Sequence, residues 1–200
     1  MLEAFRHIRL QEIAEVTHLL SPEQVQAPIS LNSSAVDVMT DFQRVEPVTI
    51  SQETQIDEAL EWMKNQHVRL LFATAESNSI SGVVTARDIM GSRVMSYMQT
   101  HGLSREFVLV KHVMAARAQL QALTHEQLIH SKIGDVMLTL KDSGEQHILV
   151  IDEGLAQVKR IRGIISASDV SRKLKIGFEI MYEAKSFAEI ERVVTHGGGI

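Results

Sequence analysis

Two short stretches of the 200-residue chain carry residue types that could do chemistry: Thr85-Ala86-Arg87-Asp88 and Ser166-Ala167-Ser168-Asp169. In each, an apolar run ends, a hydroxyl residue follows, and an acid stands three positions on. This spacing is close to a capping box, with Asp where Glu or Gln is usual. The hydroxyl caps a helix, and the acid suits the positive end of its dipole. The same geometry suits a ligand. Free backbone N–H groups at a helix start fit a phosphate. An ionised Asp accepts two hydrogen bonds at once, and the 2′ and 3′ hydroxyls of a ribose are two neighbouring donors. A hydroxyl cap beside such a carboxylate makes a nucleotide-sized site. Gly82 and Gly163, three residues before each hydroxyl, would let another backbone or a ligand approach closely. Capping alone requires neither that glycine nor the same construction twice.

The elements that position these motifs form an internal repeat. At an offset of 77 residues, Ile56, Ala59, Leu60 and Met63 fall on Ile133, Val136, Met137 and Leu140. Both sets follow i, i+3, i+4, i+7, the stripe of an amphipathic helix. Leu71-Phe72-Ala73 meets Ile148-Leu149-Val150, a short apolar strand in each copy. The offset then grows to 81, as a four-residue loop insertion would make it, and Gly82-Val83-Val84-Thr85 falls on Gly163-Ile164-Ile165-Ser166. Upstream, Val38-Met39 falls on Val113-Met114 at an offset of 75. Each copy reads strand, helix, strand, turn, strand, helix. In the first these are Thr49-Ile50, 55–65, 68–74, 80–84 and a helix from Ala86 to Gln99. In the second they lie near Leu123 and at 133–142, 147–151, 160–165 and 167–175. Turns are expected at Glu76-Ser77-Asn78-Ser79 and Asp152-Glu153-Gly154. Alternating helices and strands imply an α/β layer structure. Units of this size are small to stand alone, so the copies should pack on each other.

Composition narrows the function classes. The chain has no Cys, which excludes a disulfide framework, a thiolate zinc site, a cysteine nucleophile and an iron–sulfur cluster. A formal net charge of -5 disfavours broad phosphate-backbone binding, and 4% aromatics disfavour a base-stacking platform. No nucleic acid is expected as a partner. No apolar run approaches a membrane span, and residues 1–10 are broken by charges where a signal peptide would be apolar. The expected location is the cytoplasm, with no membrane association. There is no HExxH spacing among the nine His, no Gly-x-Ser-x-Gly elbow and no phosphate-binding Gly-Lys-Ser/Thr loop. Asp57-Glu58 sit at a helix start, where acids favour the dipole. The chain is expected to have no reaction of its own, no catalytic cofactor and no metal.

The ordered set of segments, present twice, resembles the cystathionine β-synthase (CBS) domain, which occurs in tandem as a Bateman module. The first copy carries Val38-Met39-Thr40, Val48-Thr49-Ile50, Ile56-Asp57-Glu58-Ala59-Leu60, Val68-Arg69-Leu70-Leu71-Phe72 and Gly82-Val83-Val84-Thr85-Ala86-Arg87-Asp88-Ile89. The second carries Val113-Met114, Ile133-Gly134-Asp135-Val136-Met137, His147-Ile148-Leu149-Val150-Ile151-Asp152 and Gly163-Ile164-Ile165-Ser166-Ala167-Ser168-Asp169-Val170. The resemblance covers residues 34–175. It implies an α/β fold of two β-α-β-β-α repeats packed into one pseudo-symmetric module, with N- and C-terminal helical extensions. It also implies clefts that take adenosine-type ligands: AMP, ADP or ATP, with S-adenosylmethionine or NAD ranked below them. By that resemblance Asp88 and Asp169 hold ribose hydroxyls, Thr85 and Ser166 contact ribose or phosphate, and Val83 and Ile164 flank the base. Arg69 reaches phosphate, and Ser168 adds a hydroxyl near phosphate in the second copy. The pattern is not followed throughout. Arg69 corresponds to Gln146, so the second copy lacks that cation. Leu71 and Ile148 stand where a proline is usual, and Gln121-Ala122-Leu123-Thr124 lacks the usual Pro before its strand.

The remaining segments frame the module. Residues 1–33 read as an N-terminal helix over 1–20, closed by Ser21-Pro22, and a linker from Pro28 to Ser34. Residues 34–104 and 105–177 are the two repeats, and 178–200 a helix over 178–194 with a mobile tail. Trp62 lies off its helix's apolar stripe, and Met90 and Met95 fall on different helical faces. They suggest contact with a second copy in a homodimer, beside core packing as the plainer account. The expected function is a non-catalytic sensor that binds an adenine nucleotide and signals to a separate, unidentified protein partner. The alternative is a structural or interaction module that kept the fold without the ligand.

Overall fold

The computed structural model describes residues 29–77, 79–153 and 158–174, so the helices expected over 1–20 and 178–194 lie outside the described residues. Among the described residues, eight strands build two four-stranded sheets. The first half supplies β1 (Thr40–Asp41), β2 (Thr49–Ser51), helix α1 (Ile56–Asn65), β3 (Leu70–Thr74), β4 (Ile80–Thr85), α2 (Ala86–Met90) and α3 (Ser92–His101). The second supplies α4 (Val110–Val113), β5 (Ala115–Ala116), β6 (Ala122–Thr124), α5 (His125–Ile129), α6 (Ile133–Ser143), β7 (His147–Glu153), β8 (Lys159–Ser166) and α7 (Ala167–Leu174). Short 3-10 turns stand at Ala35–Val38, Arg105–Phe107 and Arg117–Gln119.

The sheet orders are β2-β3-β4-β5 and β1-β8-β7-β6. In each, a parallel pair flanks a hairpin, and a two-residue strand closes the edge antiparallel. That closing strand comes from the other half of the chain. β1 pairs with β8 through Thr40↔Ile164 and Asp41↔Gly163, while β5 pairs with β4 through Gly82↔Ala116 and Val83↔Ala115. The repeats therefore exchange their leading segments. Ala35, Val38 and Met39 are buried in the core of the second repeat, with Ile133, Val136, Leu140, Val150 and Ile165. Val108, Val110 and Val113 are buried in the core of the first, with Ile56, Met63, Leu71 and Val84.

The exchange explains the repeated glycines. A Cβ on Gly82 would stand 2.3 Å from the Ala115 carbonyl oxygen, and one on Gly163 2.5 Å from that of Thr40. Contacts that close are forbidden, so the close approach is made by backbone, not by ligand. The Met114 and Met39 sulfurs crowd the same two points at 3.1 and 2.9 Å.

Strand alternation then divides the apolar side chains between two layers. Leu71, Ala73, Val84, Ile148, Val150 and Ile165 face the helices. Leu70, Phe72, Val83, Leu149 and Ile164 face between the sheets, joined by Phe42, whose ring meets Phe72 edge-on at 5.5 Å. This inter-sheet layer joins the repeats.

Two boundaries differ from expectation. The helix anticipated from Ala86 to Gln99 is two helices, because Gly91 is extended (φ -96°, ψ -169°). The turn anticipated at Asp152-Glu153-Gly154 begins later, since Asp152 and Glu153 still pair with Arg160 and Lys159 in the hairpin. Trp62, Met90 and Met95 are exposed, whereas Tyr97 and Met98 pack on the first core.

Candidate functional site

The strand-to-helix turn at the end of β4 is built as a capping box. The Thr85 hydroxyl accepts from the Asp88 N–H at 3.2 Å, and Asp88 Oδ2 accepts from the Thr85 N–H at 2.9 Å. Oδ2 also accepts from the Thr85 hydroxyl at 2.6 Å. Arg93 pairs with the other oxygen, Oδ1, at 3.2 Å. The Asp88 side chain is only 16% exposed, so these partners offset much of the cost of withdrawing a charge from water.

This turn opens onto a cleft of about 810 Å³ between the repeats. That volume lies in the range of small-molecule sites. The first repeat contributes Leu70, Val83, Thr85, Arg87, Asp88 and the start of α3 at Gly91, Ser92 and Arg93. The approach to β6 adds Gln119, Leu120 and Gln121, and the turn from α6 into β7 adds residues 143–147 with Leu149. Leu70, Val83, Leu120 and Leu149 offer an apolar wall. Arg87 and Arg93 supply positive charge at the rim, against Asp88 and Glu145.

Of the residues singled out in the sequence, Thr85, Asp88 and Val83 come together here. The other five do not line this cleft. Ile164 packs in the inter-sheet layer. The Ser166 and Ser168 hydroxyls lie 2.6 Å apart at the start of α7. Asp169 accepts from Arg172 at 2.7 Å, with its side chain 32% exposed. Arg69 is exposed and enters none of the ion pairs among the described residues.

His147 joins the two motifs. It opens β7, pairs in register with Ser166 and lines the cleft of Asp88. Burial pushes its imidazole down to about 4, opposed by the Asp169 carboxylate, reinforced by Arg69 and opposed again by Asp88. The ring is therefore neutral, within electrostatic reach of both acids. Sequence reading missed His147, Arg87 and Arg93. One signal was present: Arg87 occupies in the first copy the place that Ser168 holds in the second. Arg93 carries no such mark, because it lies in α3, beyond the matched segments.

Among the described residues no group of three or more His, Asp or Glu is placed to hold a metal ion. No helix among them is long and apolar enough to cross a membrane.

Residues 35–105 match the family model of the CBS domain. An uncharacterized conserved protein from Pyrococcus horikoshii shares the fold, at 22% identity and a TM-score of 0.53, over 72% of this chain and 93% of that one. A CBS-domain containing protein from Agrobacterium tumefaciens matches at 20% identity and a TM-score of 0.49, over 66% and 88% of the two chains. An Arabidopsis thaliana CBS-pair protein solved in complex with AMP matches at 19% identity and 0.48, over 70% and 94%. Comparison with curated proteins finds no match.

Proposed function

With a CBS domain matched at residues 35–105 as the premise, we propose that the chain is a regulatory module that binds an adenosine-type nucleotide, of the AMP, ADP or ATP class, between its repeats. One observation carries the reading: the cleft brings a mostly buried carboxylate, an apolar wall and two arginines together in a nucleotide-sized space. Asp88 Oδ1 takes ribose hydroxyls, Thr85 supports it, and Val83 with Leu70 and Leu149 flanks the base. Arg87 and Arg93 meet phosphate. S-adenosylmethionine and NAD rank lower.

Asp169, Ser166, Ser168, Ile164 and Arg69 form the counterpart in the second repeat, with Arg69 supplying the cation. The module performs no chemistry of its own and reports occupancy to a separate protein by differential affinity for two arrangements. A second copy of the chain is its other partner, through Trp62, Met90 and Met95. A sedimentation mass that stays monomeric at every concentration removes that contact.

The second reading, a structural or interaction module without ligand, is favoured by one observation: Asp88 is already satisfied by the cap and by Arg93. A thermal-shift panel of AMP, ADP, ATP, S-adenosylmethionine and NAD separates the two. A ligand at 100 times its Kd stabilises by about 2.7 kcal/mol. Asp88→Ala and Asp169→Ala blunt that gain separately if both positions bind. A flat response to the whole panel selects the interaction module.

A further inference from the structure

We propose that Arg93, besides meeting phosphate, reports occupancy of the cleft to the exchanged strand β5; the inference rests on reading the cleft as a nucleotide site. A single nitrogen, Nη1, faces two acceptors. One is Asp88 Oδ1 at 3.2 Å, and the other is the carbonyl oxygen of Val113, also at 3.2 Å. Asp88 belongs to the cleft. Val113 ends α4, two residues before β5 begins its pairing with β4. Ala115, the first residue of β5, itself lines the cleft. Arg93 thus ties the carboxylate of the site to the segment that the second half of the chain lends to the first sheet.

The tie is weakest on the arginine side. Oδ2 of Asp88 is committed to the Thr85 N–H and hydroxyl, which leaves Oδ1 as the oxygen a ribose hydroxyl can take. The Arg93 side chain is 55% exposed, so the guanidinium is the partner free to move. A phosphate presents several charged oxygens in a geometry that a guanidinium matches with two parallel bonds. That is a stronger partner than one carboxylate oxygen shared with a carbonyl. On nucleotide entry the hydroxyl takes Oδ1, the phosphate draws Arg93 inward, and the Val113 carbonyl loses its donor. Residues 110–116 loosen. By linkage, a protein that binds the loosened segment tightens nucleotide binding by the same factor. Adenosine fills the ribose and base positions and shares Oδ1, but without a phosphate it leaves Arg93 on the Val113 carbonyl.

The test compares AMP with adenosine by titration calorimetry, and follows hydrogen exchange of residues 110–116. We expect the wild-type protein to bind AMP at least tenfold tighter than adenosine. AMP, and not adenosine, raises exchange across 110–116. Arg93→Ala lowers the preference to about threefold or less. It also raises exchange in that segment without ligand, and AMP adds nothing further. Exchange across residues 147–153 stays at the wild-type level, which shows that the fold is intact. Arg93→Lys, which keeps the charge without the fork, restores part of the preference. An Arg93→Ala variant that keeps the full preference overturns the inference and leaves the nucleotide reading standing. So does a wild-type protein whose 110–116 exchange ignores AMP. If wild-type protein binds neither compound, the nucleotide reading falls and this inference falls with it.

Discussion

At Gly82 and Gly163 the chain has no room for a methyl group, because a backbone carbonyl occupies the place. Gly82→Ala and Gly163→Ala are each expected to lower unfolding free energy in urea by about 2 kcal/mol or more, since backbone cannot give way as a side chain can. His67 is the opposite case. It holds a left-handed conformation (φ 54°) just past the end of α1, where the second repeat has Gly144 (φ 68°) past α6. A side chain costs about 1–2 kcal/mol there. A glycine offsets part of that gain through its freer unfolded chain. His67→Gly is expected to raise stability by up to about 1 kcal/mol, seen as a small increase in Tm. Asp88 has an observed role as a cap and a proposed one in binding, and one variant separates them. Asp88→Ala removes the capping box and lowers ligand-free stability by about 1 kcal/mol. Any further loss of a nucleotide-induced gain in Tm then belongs to binding.

At the scale of elements, the two long amphipathic helices and the longer strands were legible because each carries a pattern that recurs in both copies, whereas the short α4 and α5 were not. The i, i+3, i+4, i+7 stripe marked α1 and α6, and short apolar runs recurring in both copies marked β3, β4, β7 and β8. β1 and β5 were not legible, because two residues have no period. Their traces were the Val-Met pair and the glycine, each repeated in both copies, whose meeting across the repeats only the exchange explains. The break at Gly91 was hidden for a related reason: one glycine in a helical pattern is often tolerated. So short a strand as β1 needs a further hold, and Arg162 provides it. From β8, its Nε meets Asp41 Oδ1 at 2.8 Å and its Nη1 meets Asp152 Oδ2 at 3.1 Å. The Arg162 hydrogen bond keeps the Asp41 carboxyl down at about 2, below its ordinary 3.8. A depressed carboxyl stabilises the fold above its unfolded value and loses that contribution as pH falls through its folded one. Stability should therefore decline between about pH 4 and pH 2. Asp41→Asn should flatten this limb in acid titrations followed by circular dichroism.

For the molecule as a whole, pairing of the two repeats was legible, and so was the place of three of the eight singled-out residues in one cleft. Val83, Thr85 and Asp88 line one cleft. The other half of this cleft comes from the opposite repeat, and spacing along a chain does not show which turn will face it. His147 belongs to that unseen half. Its counterpart in the first repeat is Leu70, so one symmetric position holds an imidazole in one copy and an aliphatic group in the other. Burial keeps the imidazole at about 4, below its ordinary 6.5. The unfolded chain therefore binds the proton first, and stability is full above about pH 6.5 and falls as pH drops toward 4. The loss is on the order of 3 kcal/mol. His147→Leu, which copies the first repeat, should remove most of this slope from a series of urea titrations. His112, also held below its ordinary value by burial, retains the rest.

Lending an edge strand in each direction makes the two halves mutual clients. A half-length polypeptide would expose the flank of its central hairpin and lack the valines that plug its core. Two identical halves could satisfy one another by trading those pieces. Two different halves, co-expressed, could rebuild the parent without a covalent join. The architecture thus carries a route by which a single ancestral unit, self-paired, became one continuous polypeptide.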